Sequence, residues 1–342
     1  MGNYFITTFD GEWKGPAESL KEHLGFEIIE LHGKEFGNFP TKFLLLKKEL
    51  HNAGNLLKNF RSYNHANMII CSNYAALILL LLRKLHILKC NKILWFGVYI
   101  HRPKMLKIVR KCLKLLMPDK FPFKIVVFSK PEIELYEKEF GLAAEHFVYV
   151  PYGEWNKDKK FLSTCDEGYF FSGGYANRDF VTLAKLFQDK PWKLVIAASR
   201  QNTDFVRYVN ETAVSDNIKI YWDIPAEQFN EFLRNAHAVI MIMKYNTGAS
   251  GQIVILTALE YHKLVIASYT DVIDEYIRDG ETGIILKDKS IDSLTEIMEA
   301  LSDPQREEFY KDLAEKGHLH YQNTFSYQAI SSYLIDQISR EL

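Results

Sequence analysis

Short runs of consecutive apolar residues alternate with longer segments whose apolar positions recur every three or four residues, and the alternation continues along the whole chain. A continuous apolar run of four to eight residues marks a strand buried on both faces, whereas the wider spacing marks an amphipathic helix. The pattern predicts strands over 3–9, 26–31, 66–71, 92–100, 124–128 and 147–151, separated by helices over 16–24, 42–60, 74–88, 104–117 and 132–140. A polar stretch from Glu154 to Gly168, carrying Lys157, Asp158, Lys159 and Lys160, then interrupts it and reads as an interdomain linker. Beyond it the pattern restarts, with strands expected over 169–172, 193–197, 218–222, 238–243, 264–268 and 283–286. The helices expected between them are 178–188, 203–213, 226–236, 252–262 and 271–277, followed by helices to Leu342. The expected fold class is α/β: two Rossmann-like, doubly wound parallel-sheet domains facing each other across a cleft, where strand ends of such folds bind ligands.

Length and composition agree with this pattern. A chain of 342 residues suits two domains, and 47% hydrophobic with 25% charged residues excludes a disordered or fibrous protein. Cys71, Cys90, Cys112 and Cys165 show no CxxC pair and no zinc-ligand spacing, so they read as reduced thiols. No basic region precedes an apolar stretch at the N-terminus, and a cytoplasmic location is the default expectation. The apolar run Tyr74 to Leu82 stops at Arg83-Lys84, short of the roughly 20 residues a spanning helix needs.

Charge changes the picture more. The net charge is −1, yet residues 1–150 hold 22 Lys and Arg against 14 Asp and Glu, and the remainder holds 20 against 29. A basic first half concentrates anionic partners, which points to a phosphate-bearing or membrane-borne acceptor. The segment Lys104 to Met117 places Lys104, Lys107, Arg110, Lys111 and Lys114 among apolar residues, the composition of a helix that lies on an anionic bilayer. The same composition serves a helix packed on its sheet with solvated lysines, and both readings stand. A nucleic-acid partner is not expected.

Candidate chemistry concentrates in two loops. Lys244-Tyr-Asn-Thr-Gly-Ala-Ser-Gly-Gln252 lies between a buried strand and a helix, where small residues admit a ligand to the backbone and helix amides attract an anion. A diphosphate fits there, with Lys244 adding charge and Tyr245, Ala249, Ser250, Gly251 and Gln252 lining it; a ligand-free turn is the competing reading. The second loop, Phe171 to Asp179, offers Gly173, Gly174 and Asn177, with Arg178 expected on the first turn of the next helix to clamp a phosphate. Neither loop has the GxGxxG spacing, which argues against a nicotinamide enzyme.

The run from Ala236 to Ser268, with Glu275-Tyr-Ile-Arg-Asp-Gly-Glu-Thr-Gly283, resembles the donor domain of GT-B glycosyltransferases, particularly the retaining family-four type. His262-Lys-Leu-Val-Ile-Ala-Ser268 and Asp279-Gly-Glu-Thr-Gly283 carry the match, as does Val148-Tyr-Val-Pro-Tyr-Gly153. The resemblance is good over roughly 124–290 and extends to the N-terminal domain by layout only. It implies a first domain over 1–152, a donor domain over 153–321, and a last helix, about 322–342, crossing back onto the first. It further implies a UDP- or GDP-sugar donor, no cofactor and no metal, and a glycan or lipid-linked acceptor of bacterial polysaccharide or glycolipid synthesis.

On this reading the nucleobase lies near Arg200 and Trp222 to Pro225, with Ser199, Asp223 and Ile224 among the donor-binding residues, and His101 ends a strand beside the sugar. A structural histidine is the alternative for His101. Gly11, Lys14 and Gly15 are the expected acceptor-side residues. The family's two glutamates, separated by seven residues, are replaced here by Ala249 and Thr257, of which Thr257 is placed to contact a ribose or to pack in the core. Their absence keeps two further readings open: an inactive nucleotide-sugar-binding partner subunit, and a sugar-nucleotide epimerase of the same fold.

Overall fold

The computed structural model describes residues 1–7, 13–31, 51, 53–72, 75–98, 103–117, 121–174, 176–246 and 250–342. These divide into two compact units, one formed by Met1–Lys157 with Tyr327–Leu342 and the other by Asp158–Ser326.

The first unit is a six-stranded sheet of β1 (Asn3–Thr7), β2 (Glu27–Glu30), β3 (Ala66–Ser72), β4 (Cys90–Phe96), β5 (Phe123–Val127) and β6 (Phe147–Tyr149). The strand order is β2-β1-β3-β4-β5-β6, and every pairing is parallel. Its inner strands carry runs of consecutive apolar residues because both faces of the sheet are covered there. Thus Ile93 and Trp95 of β4 enter the core beneath the helices Ala75–Lys84, Pro103–Leu116 and Lys130–Phe140. Leu94 and Phe96 enter the opposite core, with Ala17 and Leu20 of the helix Lys14–Leu24 and Ile330, Leu334 and Ile338 of the last helix, Tyr327–Glu341. Glu341 pins that last helix to the sheet through Lys92 at 3.1 Å and Lys124 at 2.5 Å.

The second unit contains β7 (Tyr169–Gly174), β8 (Lys193–Ala198), β9 (Ile218–Trp222), β10 (Ala238–Met241), β11 (Leu264–Ser268) and β12 (Ile284–Leu286). Their order is β12-β11-β10-β7-β8-β9, again all parallel. The chain therefore winds outward from β7 to β9 and then returns to the other side of β7. The point where it reverses, between the carboxyl ends of β7 and β10, is where open α/β sheets leave room for a ligand.

Several predicted boundaries differ from the structure. β7 runs two residues further than expected, through Gly173 and Gly174, and the following helix is Phe180–Phe187, so Arg178 precedes it. Asp179 ends the extension by capping: its carboxylate accepts from the Thr182 amide at 3.0 Å and hydroxyl at 2.8 Å. The helix expected over 271–277 is reduced to a single 3-10 turn, Ile273–Glu275. Val272, Ile273, Tyr276 and Ile277 are all buried there, at a spacing that one face of a regular helix would also give. The helix expected over 42–60 falls largely outside the described residues.

Candidate functional site

The two loops singled out from the sequence follow β7 and β10 and so flank the switch point. They are tied together by backbone and side chain. The Asp179 amide donates to the Ile242 carbonyl at 2.8 Å, and Arg178 forms an isolated antiparallel bridge with Met243. Asn177, with a left-handed φ of 57°, donates from Nδ2 to the Tyr245 carbonyl at 2.8 Å and to Ser250 Oγ at 3.1 Å. Asparagine is among the few residues that enter this region readily.

Arg178 occupies the centre of this junction and is only 4% exposed. Its Nε donates to the Gly173 carbonyl at 2.9 Å, and its Nη1 to the Ala176 carbonyl at 2.8 Å and Met243 Sδ at 3.2 Å. Burial pulls the guanidinium down to about 10, so it stays charged at neutral pH. Among the described residues it has no carboxylate partner. A buried cation held only by carbonyl dipoles is costly unless an anion joins it.

The remaining Nη2 faces two glycines. A Cβ on Gly174, whose φ is 118°, would lie 3.0 Å from it, and one on Gly251, φ 91°, would lie 3.3 Å away. Gly251 immediately precedes the helix Gln252–Glu260, whose first amides have no carbonyl within the helix to accept from them. A guanidinium, a glycine turn and a helix N-terminus thus adjoin one another. Gly173 has a different role: a Cβ there would strike Phe229 at 2.4 Å, so its small size serves packing.

Other residues of the same loops are already engaged. Lys244 Nζ lies 2.5 Å from Asp204 Oδ2, on the helix Thr203–Glu211. Burial raises the Asp204 carboxyl, but the hydrogen bond and charge of Lys244 outweigh it and hold the group below its ordinary range. Gln252 Nε2 donates to the Tyr276 hydroxyl at 2.7 Å. Thr257 is buried and its Oγ1 donates to the Ile253 carbonyl at 2.8 Å, one turn back in its own helix. Ala249 lies outside the described residues.

At the ends of β8 and β9 a second polar group forms. Ser199 Oγ donates to Asp223 Oδ1 at 2.7 Å, the Arg200 amide donates to both Asp223 oxygens at 3.3 Å, and the Arg200 guanidinium stands 5.6 Å from the Trp222 ring centroid. Asp223 has a φ of 49°, and Ile224 follows it, partly buried.

In the first unit, Lys14 pairs with Glu18 at 3.7 Å, and Gly15 abuts the Trp155 backbone so closely that a Cβ would lie 1.9 Å from its carbonyl oxygen. Glycine at 15 is therefore required by packing. His101 and Gly11 lie outside the described residues. On the helix Pro103–Leu116, Val109, Leu113 and Leu116 are buried, while Lys107, Arg110, Lys111 and Lys114 are exposed. Ile108 and Leu115 are exposed beside them, at 51% and 65%.

Sequence reasoning did not single out Asp204, Tyr276 or Lys289. Lys289, after β12, donates to the Met243 carbonyl at 3.0 Å and approaches the Lys244 carbonyl and Asn246 Oδ1, each at 3.5 Å. No motif marks it, because it reaches the site across the intervening β11. Among the described residues no group of three or more His, Cys, Asp or Glu could hold a metal ion, and no helix is long and apolar enough to cross a membrane.

Two doubly wound units in tandem, each a six-stranded parallel sheet covered by helices, place the chain in the GT-B class of α/β folds. The solved structures agree. HepE from Anabaena, in complex with UDP-glucose, is similar over 99% of this chain and 100% of its own, with 12% identity and a TM-score of 0.66. Sucrose-phosphate synthase from Thermosynechococcus elongatus matches over 100% and 99%, with 13% identity and a TM-score of 0.71. WaaG, a glycosyltransferase involved in lipopolysaccharide biosynthesis, matches over 98% and 99%, with 12% identity and a TM-score of 0.62. No curated protein sequence matches this one. Residues 178–320 match the family described as glycosyl transferases group 1. The chain thus has the GT-B fold, and its second unit carries a glycosyltransferase domain of that group.

Proposed function

We propose that this glycosyltransferase moves a sugar from a uridine- or guanosine-diphosphate sugar to a glycan or lipid-linked acceptor, as in bacterial polysaccharide or glycolipid synthesis. The observation that carries the donor assignment is Arg178, a buried guanidinium without a carboxylate partner among the described residues, set against Gly251 and the start of the helix Gln252–Glu260. In the proposed reaction the departing diphosphate is stabilised by Arg178 and the helix amides, already oriented before the bond breaks. Protein cations supply this stabilisation, without a metal. The pair Arg200 and Trp222, with Ser199, Asp223 and Ile224, is proposed to take the nucleobase. Tyr245, Ser250 and Gln252 are proposed to line the sugar, with Gly173, Gly174 and Asn177 shaping the wall. His101, Gly11, Lys14 and Gly15 remain proposed for the acceptor side, His101 as a hydrogen-bonding or proton-moving group.

The acceptor assignment draws on charge. Between Glu49 and Asp119 the sequence has no carboxylate and twelve lysines and arginines. Lys107, Arg110, Lys111 and Lys114, with Lys104 of the same helix, are proposed to bring the protein to an anionic membrane surface on the cytoplasmic side. The exposed Ile108 and Leu115 fit an apolar face against lipid.

Purified protein should release UDP or GDP from one of a panel of nucleotide-sugars in the presence of an acceptor, and Arg178→Ala should abolish release. One observation favours a second reading, an inactive partner subunit that binds nucleotide-sugar: Thr257 stands where the resemblance calls for a glutamate, and its hydroxyl is bonded within its own helix. Nucleotide binding without turnover over a full acceptor panel would select that reading.

A further inference from the structure

Two cations without an ion-pair partner among the described residues converge on Met243. Arg178 Nη1 donates to its sulfur at 3.2 Å, and Lys289 Nζ donates to its carbonyl oxygen at 3.0 Å. Lys244, the lysine conspicuous in the sequence, has turned instead to Asp204 at 2.5 Å. The two lysines therefore differ in what their charge meets. The charge of Lys244 is offset by a full negative charge, whereas among the described residues that of Lys289 meets the carbonyls of Met243 and Lys244 and the side-chain oxygen of Asn246. Dipoles solvate an ammonium group but leave its net charge in place, and an anion beside it offsets that charge.

The geometry points to Lys289 as a second donor-binding cation: it acts with Arg178 on the diphosphate while tethering the loop after β10 through the Met243 and Lys244 carbonyls. The assignment rests on the nucleotide-sugar function proposed for this site. Its location explains why no local motif marks it. Lys289 follows β12, two strands away from β10, and only the order β12-β11-β10 brings its stem over the end of β11 to Met243.

The test separates charge from tethering. Lys289→Gln keeps a hydrogen-bond donor for the carbonyls and removes the charge, while Lys289→Arg keeps the charge. Binding of UDP, GDP, the matching monophosphates and the nucleosides is measured by calorimetry on the full chain, with melting temperature as a control on folding. The expected result is that Lys289→Gln weakens binding of the preferred diphosphate by roughly tenfold, leaves the nucleoside within twofold, and that Lys289→Arg restores most of the loss. Equal diphosphate affinity in the wild type and Lys289→Gln would overturn the assignment while leaving the nucleotide-sugar function intact. A parallel loss for diphosphate and nucleoside would reduce Lys289 to a tether. If the wild type binds no diphosphate, the donor site itself is wrong and this inference falls with it.

Discussion

Asn177 and Tyr245 are bonded to each other twice: the Tyr245 amide donates to Asn177 Oδ1, and Asn177 Nδ2 donates to the Tyr245 carbonyl, both at 2.8 Å. One side chain thereby copies the pairing of a neighbouring strand and closes the gap between the loops after β7 and β10. Since Arg178 is the next residue, the same clasp sets where its guanidinium stands.

Asn177→Ala should therefore lower stability and donor affinity together. Losing this pair of bonds and placing alanine at a φ of 57° should cost about 1–3 kcal/mol. Thermal unfolding and UDP or GDP titration measure the two effects, and an unchanged nucleotide affinity would show that the clasp does not position Arg178.

Asp204→Asn releases the charge of Lys244 without changing the shape of its partner. Diphosphate binding is expected to tighten by about threefold at low salt, and the gain should fade as ionic strength shortens the reach of the freed charge. Titrations at two salt concentrations test this. Weaker binding in Asp204→Asn would mean that the pair, rather than the lysine alone, shapes the site.

The last helix should be held by a pH-dependent contact. Burial raises the Glu341 carboxyl, but the hydrogen bonds and charges of Lys124 and Lys92 outweigh it and hold it below the ordinary range. A carboxyl depressed on folding stabilises the protein above its unfolded value, about 4.3, and that contribution disappears as pH falls through the lower folded value. Wild type should thus be more stable than Glu341→Gln at neutral pH, with the difference shrinking below about pH 4. Parallel denaturant melts across this range provide the comparison, and a constant gap would contradict it.

Membrane contact, if carried by the helix Pro103–Leu116, should depend on its charges. Sedimentation with anionic vesicles is expected to exceed that with neutral ones and to fall steeply with salt, at about 1 kcal/mol for each cation near the surface. Replacing Lys107, Lys111 and Lys114 by glutamine should remove most of the difference. Equal recovery from both vesicle types would remove the membrane assignment.

The alternation of apolar strands and amphipathic helices was legible in the chain because strands such as β10, and β4 from Ile93 onward, are buried on both faces and so are apolar at successive positions. The two loops were legible as well, since a left-handed turn at Gly251 and a strand end at Gly173-Gly174 require residues that are unusual elsewhere. The 3-10 turn at Ile273–Glu275 was not, because its buried residues Val272, Ile273, Tyr276 and Ile277 have the same spacing as one face of an α-helix.

Within the site, local sequence determined which residues could carry charge, and the fold decided which of them do. Lys244 and Lys289 are equally basic as letters. Asp204 offsets the first, and the second reaches Met243 from two strands away. Such pairings depend on strand order, and strand order comes from packing between segments far apart in the chain, which short-range periodicity does not encode.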